Sequence, residues 1–276
     1  MIDIAGFEQY LYEEELSQNT VRSYLHALRL YAKRHTEITK GDLIAYKQEQ
    51  IARYQPATVN LRIMALLAYC RYAKIPMKLK TVKLPKRTSI DNVITPEQLD
   101  TLLRGLVHDG NRSWYVNIQL LSKTGMRVSE ALRVTKRDIL AGSVTMHTKD
   151  HMRTIYFPRA LTEAIMEDIA PLSMNDAVMR CHHGRRPANS SGSVPFSGGQ
   201  SVRNGMIYLA KRYNIPEDVM HPHSFRHFFA IEFLKRKNDI ALLADLLGHS
   251  SVNMTQIYLR QSQEQQQDAV DDAVDW

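Results

Sequence analysis

Cysteine is almost absent from this chain: Cys70 and Cys181 are the only two in 276 residues and stand in no C-x-x-C pattern. That excludes a disulfide framework and a cysteine-based zinc site. No apolar run approaches the roughly 20 residues that a membrane-spanning helix needs. The first residues, MIDIAGFEQYLYEEE, are acidic where a secretory signal is basic, so the protein is expected to stay in the cytoplasm, away from membranes. With 44% hydrophobic and 24% charged residues, the composition is that of a globular protein and excludes disordered and fibrous classes. Acidic residues are the minority charge, 29 Asp and Glu against 36 Lys and Arg, a net +7. The last sixteen residues, QSQEQQQDAVDDAVDW, hold five carboxylates and no Lys or Arg, so the 260 residues before them carry a net +12. A body this basic attracts a polyanion such as nucleic acid.

What the chain has in quantity is helical patterning. Val21, Tyr24, Leu25, Leu28 and Tyr31 recur at helical spacing behind Ser17, an N-cap residue. Thr39 and Asp42 have the spacing of a capping box, and Pro56 opens a third helix with Val59, Ile63, Leu66, Leu67 and Cys70 along one stripe. Arg22, Arg29, Lys33, Arg53, Arg62 and Arg71 form either a surface that tracks a phosphate backbone or a solvated face. Residues 78–92 lose periodicity, are rich in Lys and contain Pro85. This predicts a linker at 85–92 between a helical domain, 1–84, and a second domain, 93–276. Thr95-Pro96-Glu97-Gln98 is a fresh start signal, and helices are predicted at 96–107, 112–123, 128–132, 159–169, 201–213, 223–236 and 239–247. Val144, Met146, Ile155 and Phe157 alternate around a polar centre, the pattern of a short antiparallel hairpin. Residues 181–200 are Gly/Ser-rich and read as a loop.

The chemistry-bearing residues are few and ordered. In TGMRVSEAL, Arg127 follows a Gly turn at a helix start, where its fork can meet an anion; the alternative is a surface pair with Glu130. In HPHSFRHFFA, His223 and Arg226 lie three apart, so one helical turn aims both at one point. His221, His223 and His227 also have an H-x-H-x3-H spacing that a metal could use, but no carboxylate stands nearby and Pro222 constrains the segment. His227 is read as orienting the helix. In LLGHSSVNMTQIYL, Gly248 ends a helix, His249 occupies the turn, and Tyr258 follows nine residues later. Lys149, at the tip of the predicted hairpin, is either a proton donor or a turn residue, and Arg153 is a candidate to share phosphate contact. Guanidiniums grip phosphate oxygens, a phenol can become a covalent nucleophile, and His and Lys can move protons.

The order Arg127, Lys149, His223, Arg226, His249, Tyr258 resembles that of the tyrosine recombinases, the phage integrase family. The likeness spans nearly all of residues 93–260 by motif order, with Phe225 where Leu is commoner and Thr148 and Asp150 in place of glycines beside the lysine. It implies a mainly α fold, with an N-terminal helical core-binding (SAM-like) domain and an α+β catalytic domain carrying a small antiparallel sheet. It implies a compact Xer-like recombinase with no preceding arm-binding domain. All six residues would be catalytic: the arginines and His249 holding the phosphate, His223 as the best-placed base for Tyr258, and Lys149 protonating the leaving 5′-oxygen. It further implies double-stranded DNA as partner, a homotetramer on paired sites, possible accessory DNA-bending proteins, and neither a cofactor nor a metal. The acidic tail, 261–276, would dock on a neighbouring protomer through Ala269, Val270, Ala273, Val274 and Trp276, or be a solvated end. A type IB topoisomerase, a non-cutting DNA-binding relative and a metal hydrolase are the alternatives.

Overall fold

A computed structural model describes residues 2–84, 92–147, 152–182, 193–249 and 254–259, together with Asp271 and Val274. The chain divides into two compact units between Lys86 and Arg87. Most of the predicted linker, residues 85–91, lies outside the described residues, as does nearly all of the tail.

The first unit is four helices: α1 (Ile4–Glu13), α2 (Gln18–Ala32), α3 (Lys40–Arg53) and α4 (Pro56–Tyr72). Asp3, Ser17 and Thr39 cap the first three, each accepting a backbone N–H from the first turn. Phe7, Leu28, Tyr31, Leu43, Val59, Ile63 and Leu66 are fully buried at its centre, and Cys70 is buried with them. The sequence reading did not identify α1. Only Phe7 and Leu11 of it are buried, and it is held by partners distant in sequence. Tyr72 donates to the Asp3 carboxylate at 2.6 Å, while the Asp3 N–H donates to the Tyr69 hydroxyl at 2.9 Å. On the surface, Arg62 lies over the Tyr54 ring at 4.0 Å and donates to Gln50.

The second unit runs α5 (Pro96–His108), α6 (Arg112–Thr124), α7 (Val128–Ala131), α8 (Lys136–Ala141), β1 (Ser143–His147), β2 (Met152–Tyr156), α9 (Arg159–Ile169), β3 (Arg180–His182), β4 (Ser193–Pro195), α10 (Gly199–Arg212), α11 (Pro222–Arg236) and α12 (Ile240–Leu247). A 3-10 turn, Gln256–Leu259, follows. Helix α6 is the central post: Ile118, Leu120 and Leu121 are fully buried, and its neighbours are α5, α9, α11 and β3. Strands β1 and β2 form the expected antiparallel hairpin, with Ser143 opposite Tyr156 and His147 opposite Met152. Lys149 and its flanking residues lie outside the described residues.

Residues 181–200 are not wholly the loop that was expected. Strand β3 pairs antiparallel with β4, Cys181 opposite Val194. Its position is fixed by Asn117 of α6, whose amide donates to the Arg180 carbonyl at 2.8 Å. The Arg180 side chain reaches across to the Ser193 carbonyl at 2.6 Å. Helix α8 was also missed; it is six residues long, with a complete Thr135–Asp138 capping box.

Candidate active site

Two left-handed glycines build the frame of the site. Gly125 ends α6 with φ +60° and Gly248 ends α12 with φ +61°, a conformation that costs a residue with a Cβ about 1–2 kcal/mol. Space is a second constraint. A Cβ on Gly125 would meet the Phe229 ring at 2.4 Å, and one on Gly248 would meet Arg153 Cδ at 2.4 Å.

The last carbonyls of α12 have no helical donor of their own, and three arginines from elsewhere supply them. Arg153 Nη1 donates to the Leu246 carbonyl at 2.6 Å, Arg226 Nη2 to Leu247 at 2.6 Å and Arg127 Nη2 to Gly248 at 3.3 Å. Arg226 Nη1 also donates to the Gly125 carbonyl at 2.8 Å. One helix end, the negative pole of its dipole, thus orders three guanidiniums from α11, β2 and the start of α7.

Glu130 is their counter-ion. It is buried at 3% exposure. Its Oε1 accepts from Arg127 Nη1 at 3.2 Å and Arg153 Nε at 3.1 Å. Its Oε2 accepts from the Arg127 backbone N–H at 2.6 Å and from Arg153 Nη2. The Arg127–Glu130 pair therefore forms, but with its carboxylate buried and shared with Arg153 instead of lying on the surface. Arg153 is 7% exposed and donates to both Glu130 oxygens and to the Leu246 carbonyl, so it braces the carboxylate against the end of α12. Arg127 keeps 36% of its side chain exposed and so can meet a ligand. One carboxylate among three guanidiniums leaves the site cationic. Burial, then Arg127 and Arg153, push the Arg226 pKa down to about 10, so it is still charged at neutral pH.

The histidines are differently placed. His221 is the N-cap of α11, its Nδ1 accepting the Ser224 N–H at 3.1 Å. His223, in the first turn, has an exposed side chain, and its pKa is lowered by partial desolvation and then by Arg226 and Arg127. His249 Nδ1 is 2.7 Å from the Thr255 hydroxyl. Burial, followed by Arg226, Arg127, Arg153 and His227, takes its pKa to about 4, so it enters the site as a neutral imidazole. Tyr258, in the 3-10 turn, packs against the cluster of Ala230, Leu234, Leu243 and Leu247, and its N–H donates to the Thr255 carbonyl at 3.0 Å. Burial raises its pKa against the opposing pull of Arg226.

The hydrogen-bond partner of the Tyr258 hydroxyl is a residue the sequence reading placed elsewhere. His227 Nδ1 lies 2.8 Å from that oxygen, and the two ring centroids are 5.6 Å apart. A signal for this was present: His223, Arg226 and His227 stand at i, i+3 and i+4 on one face of α11. Two members of the H-x-H-x3-H pattern are thus engaged with protein groups. Among the described residues no group of three His, Cys, Asp or Glu is arranged to hold a metal ion.

Known proteins share this arrangement of sequence and fold. The model of the phage integrase family matches residues 92–265, and that of the phage integrase N-terminal SAM-like domain matches residues 4–75. The tyrosine recombinase XerA of Thermococcus kodakarensis is 29% identical over 271 residues, covering 93% of this chain and 90% of the relative. A crystal structure of XerA recombinase superposes with a TM-score of 0.52 at 23% identity, covering 98% of this chain and 96% of the other. A lambda integrase dimer bound to a COC′ core site gives 0.68 at 18% identity, covering 94% and 76%. The mainly helical fold with its small antiparallel sheets and SAM-like first unit agrees with these matches. The chain belongs to the phage integrase family, the tyrosine recombinases.

Proposed function

We propose that this protein cuts and rejoins duplex DNA at specific sites, with Tyr258 as the nucleophile that forms a 3′-phosphotyrosyl bond. The observation that carries the reading is the convergence of Arg127, Arg226 and His249 on the end of α12, together with the Tyr258 segment that follows it. A phosphodiester gains negative charge on its nonbridging oxygens as it is attacked. Arg127 and Arg226 sit fixed in advance, with hydrogen-bond donors left over, to stabilise that charge where it develops. His223 and His249, held neutral, donate to the same oxygens. Lys149 is assigned the proton for the departing 5′-oxygen. The covalent bond keeps the energy of the phosphodiester, so a 5′-hydroxyl of a second duplex reseals it without ATP or a metal ion. Four protomers exchange strands between two paired sites through a Holliday junction, with DNA-bending proteins as possible helpers in the cytoplasm. The Xer relative and the DNA-bound lambda integrase support this assignment.

The test begins with duplexes selected from a random pool by binding, then nicked so that cleavage releases a short strand and traps the adduct. Tyr258→Phe removes only the phenolic oxygen; it is expected to bind the selected duplex as the wild type does and to form no covalent complex on a denaturing gel. An adduct that survives in Tyr258→Phe removes Tyr258 as the nucleophile.

A further inference from the structure

The resemblance assigned the proton of Tyr258 to His223, but the geometry of α11 assigns it to the next turn. We infer that His227 is the catalytic base that takes the Tyr258 proton during cleavage and returns it during resealing. This rests on the assignment of Tyr258 as nucleophile. The imidazole bonded to the attacking oxygen is that of His227, Nδ1 to Oη at 2.8 Å. Its position is fixed from both sides. On α11 it follows Arg226, which is anchored to the Gly125 and Leu247 carbonyls. Across the contact, Tyr258 packs on the cluster that Ala230 and Leu234 of α11 form with Leu243 and Leu247 of α12. His223, four residues earlier, has its ring centroid 6.4 Å from that of His227 and feels Arg226 and Arg127. That setting suits a neutral donor to phosphate. A phenol kept un-ionised by burial needs an acceptor already in contact, and an imidazole protonated at Nε2 presents Nδ1 as that acceptor.

The step balances without any further reactant. As the Tyr258 oxygen bonds to phosphorus, its O–H bond breaks and the proton forms a new N–H at Nδ1 of His227. The P–O5′ bond breaks, and the 5′-oxygen leaves with a proton from its own donor, assigned to Lys149. In resealing, a 5′-hydroxyl attacks phosphorus and gives its proton back to the amine assigned to Lys149, the bond from phosphorus to the Tyr258 oxygen breaks, and the Nδ1 proton of His227 returns to the phenolate.

The experiment compares the rate of adduct formation on the nicked, pool-selected duplex for the wild type, His227→Asn and His227→Gln. Each is made with Tyr258 and again with a difluorotyrosine at position 258, whose more acidic phenol needs less help to ionise. DNA binding of every variant is measured alongside. The amide variants are expected to bind like the wild type and to cleave roughly a hundredfold more slowly, and the fluorinated phenol is expected to restore most of the loss. Slow cleavage without rescue means that His227 only positions the tyrosine and overturns the inference. Wild-type rates overturn it as well, and faster cleavage would mean that His227 restrains Tyr258. A wild type that forms no adduct overturns the function proposed above, and the base with it. Loss confined to the histidine variants without rescue leaves that function standing.

Discussion

Glu130 carries more of the site than its place in the sequence suggests. Two guanidiniums, Arg127 and Arg153, share its carboxylate in a buried setting, and a buried pair that loses one member leaves an uncompensated charge. Glu130→Gln is therefore expected to lower the free energy of unfolding by about 3 kcal/mol or more, measured by urea denaturation. Inorganic phosphate should recover part of that stability by supplying the missing negative charge. The histidines add a dependence on pH. His249 ionises at about 4 in the folded chain and at about 6.5 when unfolded. The unfolded chain therefore binds the proton first, and stability falls as pH drops from about 6.5 towards about 4, then levels. His221 and His223 are shifted in the same direction. His249→Asn should flatten part of the slope in thermal unfolding followed across that range, and an unchanged slope would remove His249 from this role. Arg127, Arg226, His249 and Tyr258 were legible as motif residues because each stands in a short recognisable phrase. The bond from Arg153 to Glu130 was not, since it joins residues 23 apart that only the hairpin brings together. His227 was read only as orienting its helix, because its partner, 31 residues away, is brought to it by the fold and not by spacing.

At the scale of elements, the end of α12 organises the site, and its glycine is the point at which this can be tested. Gly248→Ala is expected to destabilise the protein by about 1–2 kcal/mol through the left-handed backbone alone. Because the new Cβ would also fall 2.4 Å from Arg153 Cδ, adduct formation should drop more than the loss of stability accounts for. Thermal unfolding and the trapping assay measure the two separately. Most helices were readable because their signals are local. Thr95 and Gln98 form a complete capping box, and the alternation about the β1–β2 turn is a property of adjacent residues. Strands β3 and β4 have three residues each, too few for a period. They exist because Asn117 and Arg180 satisfy one another's backbone and side-chain groups. Helix α1 likewise depends on Tyr69 and Tyr72, more than 60 residues away.

At the scale of the whole molecule, charge is the property that acts beyond contact distance. A chain of net +7 whose acidic end alone holds five carboxylates should bind duplex DNA with release of counterions. Affinity is expected to fall roughly a thousandfold or more between about 50 and 200 mM salt. Titration of a labelled duplex at several salt concentrations measures the slope, and a flat response would count against an extended contact with the phosphates. The division lies near residue 86, and the Lys-rich run before it is not wholly apart from the first unit, since Leu79 and Val82 pack against that unit's core. One consequence of the carbonyls at Leu246, Leu247 and Gly248 concerns how such a chain can change over generations. Each of the three peptide units holds an arginine from a different part of the fold, so inserting or deleting a single residue there would shift every acceptor by one position and hand each guanidinium the wrong one. The spacing of these four residues, Leu246 to His249, is thus closed to length variation.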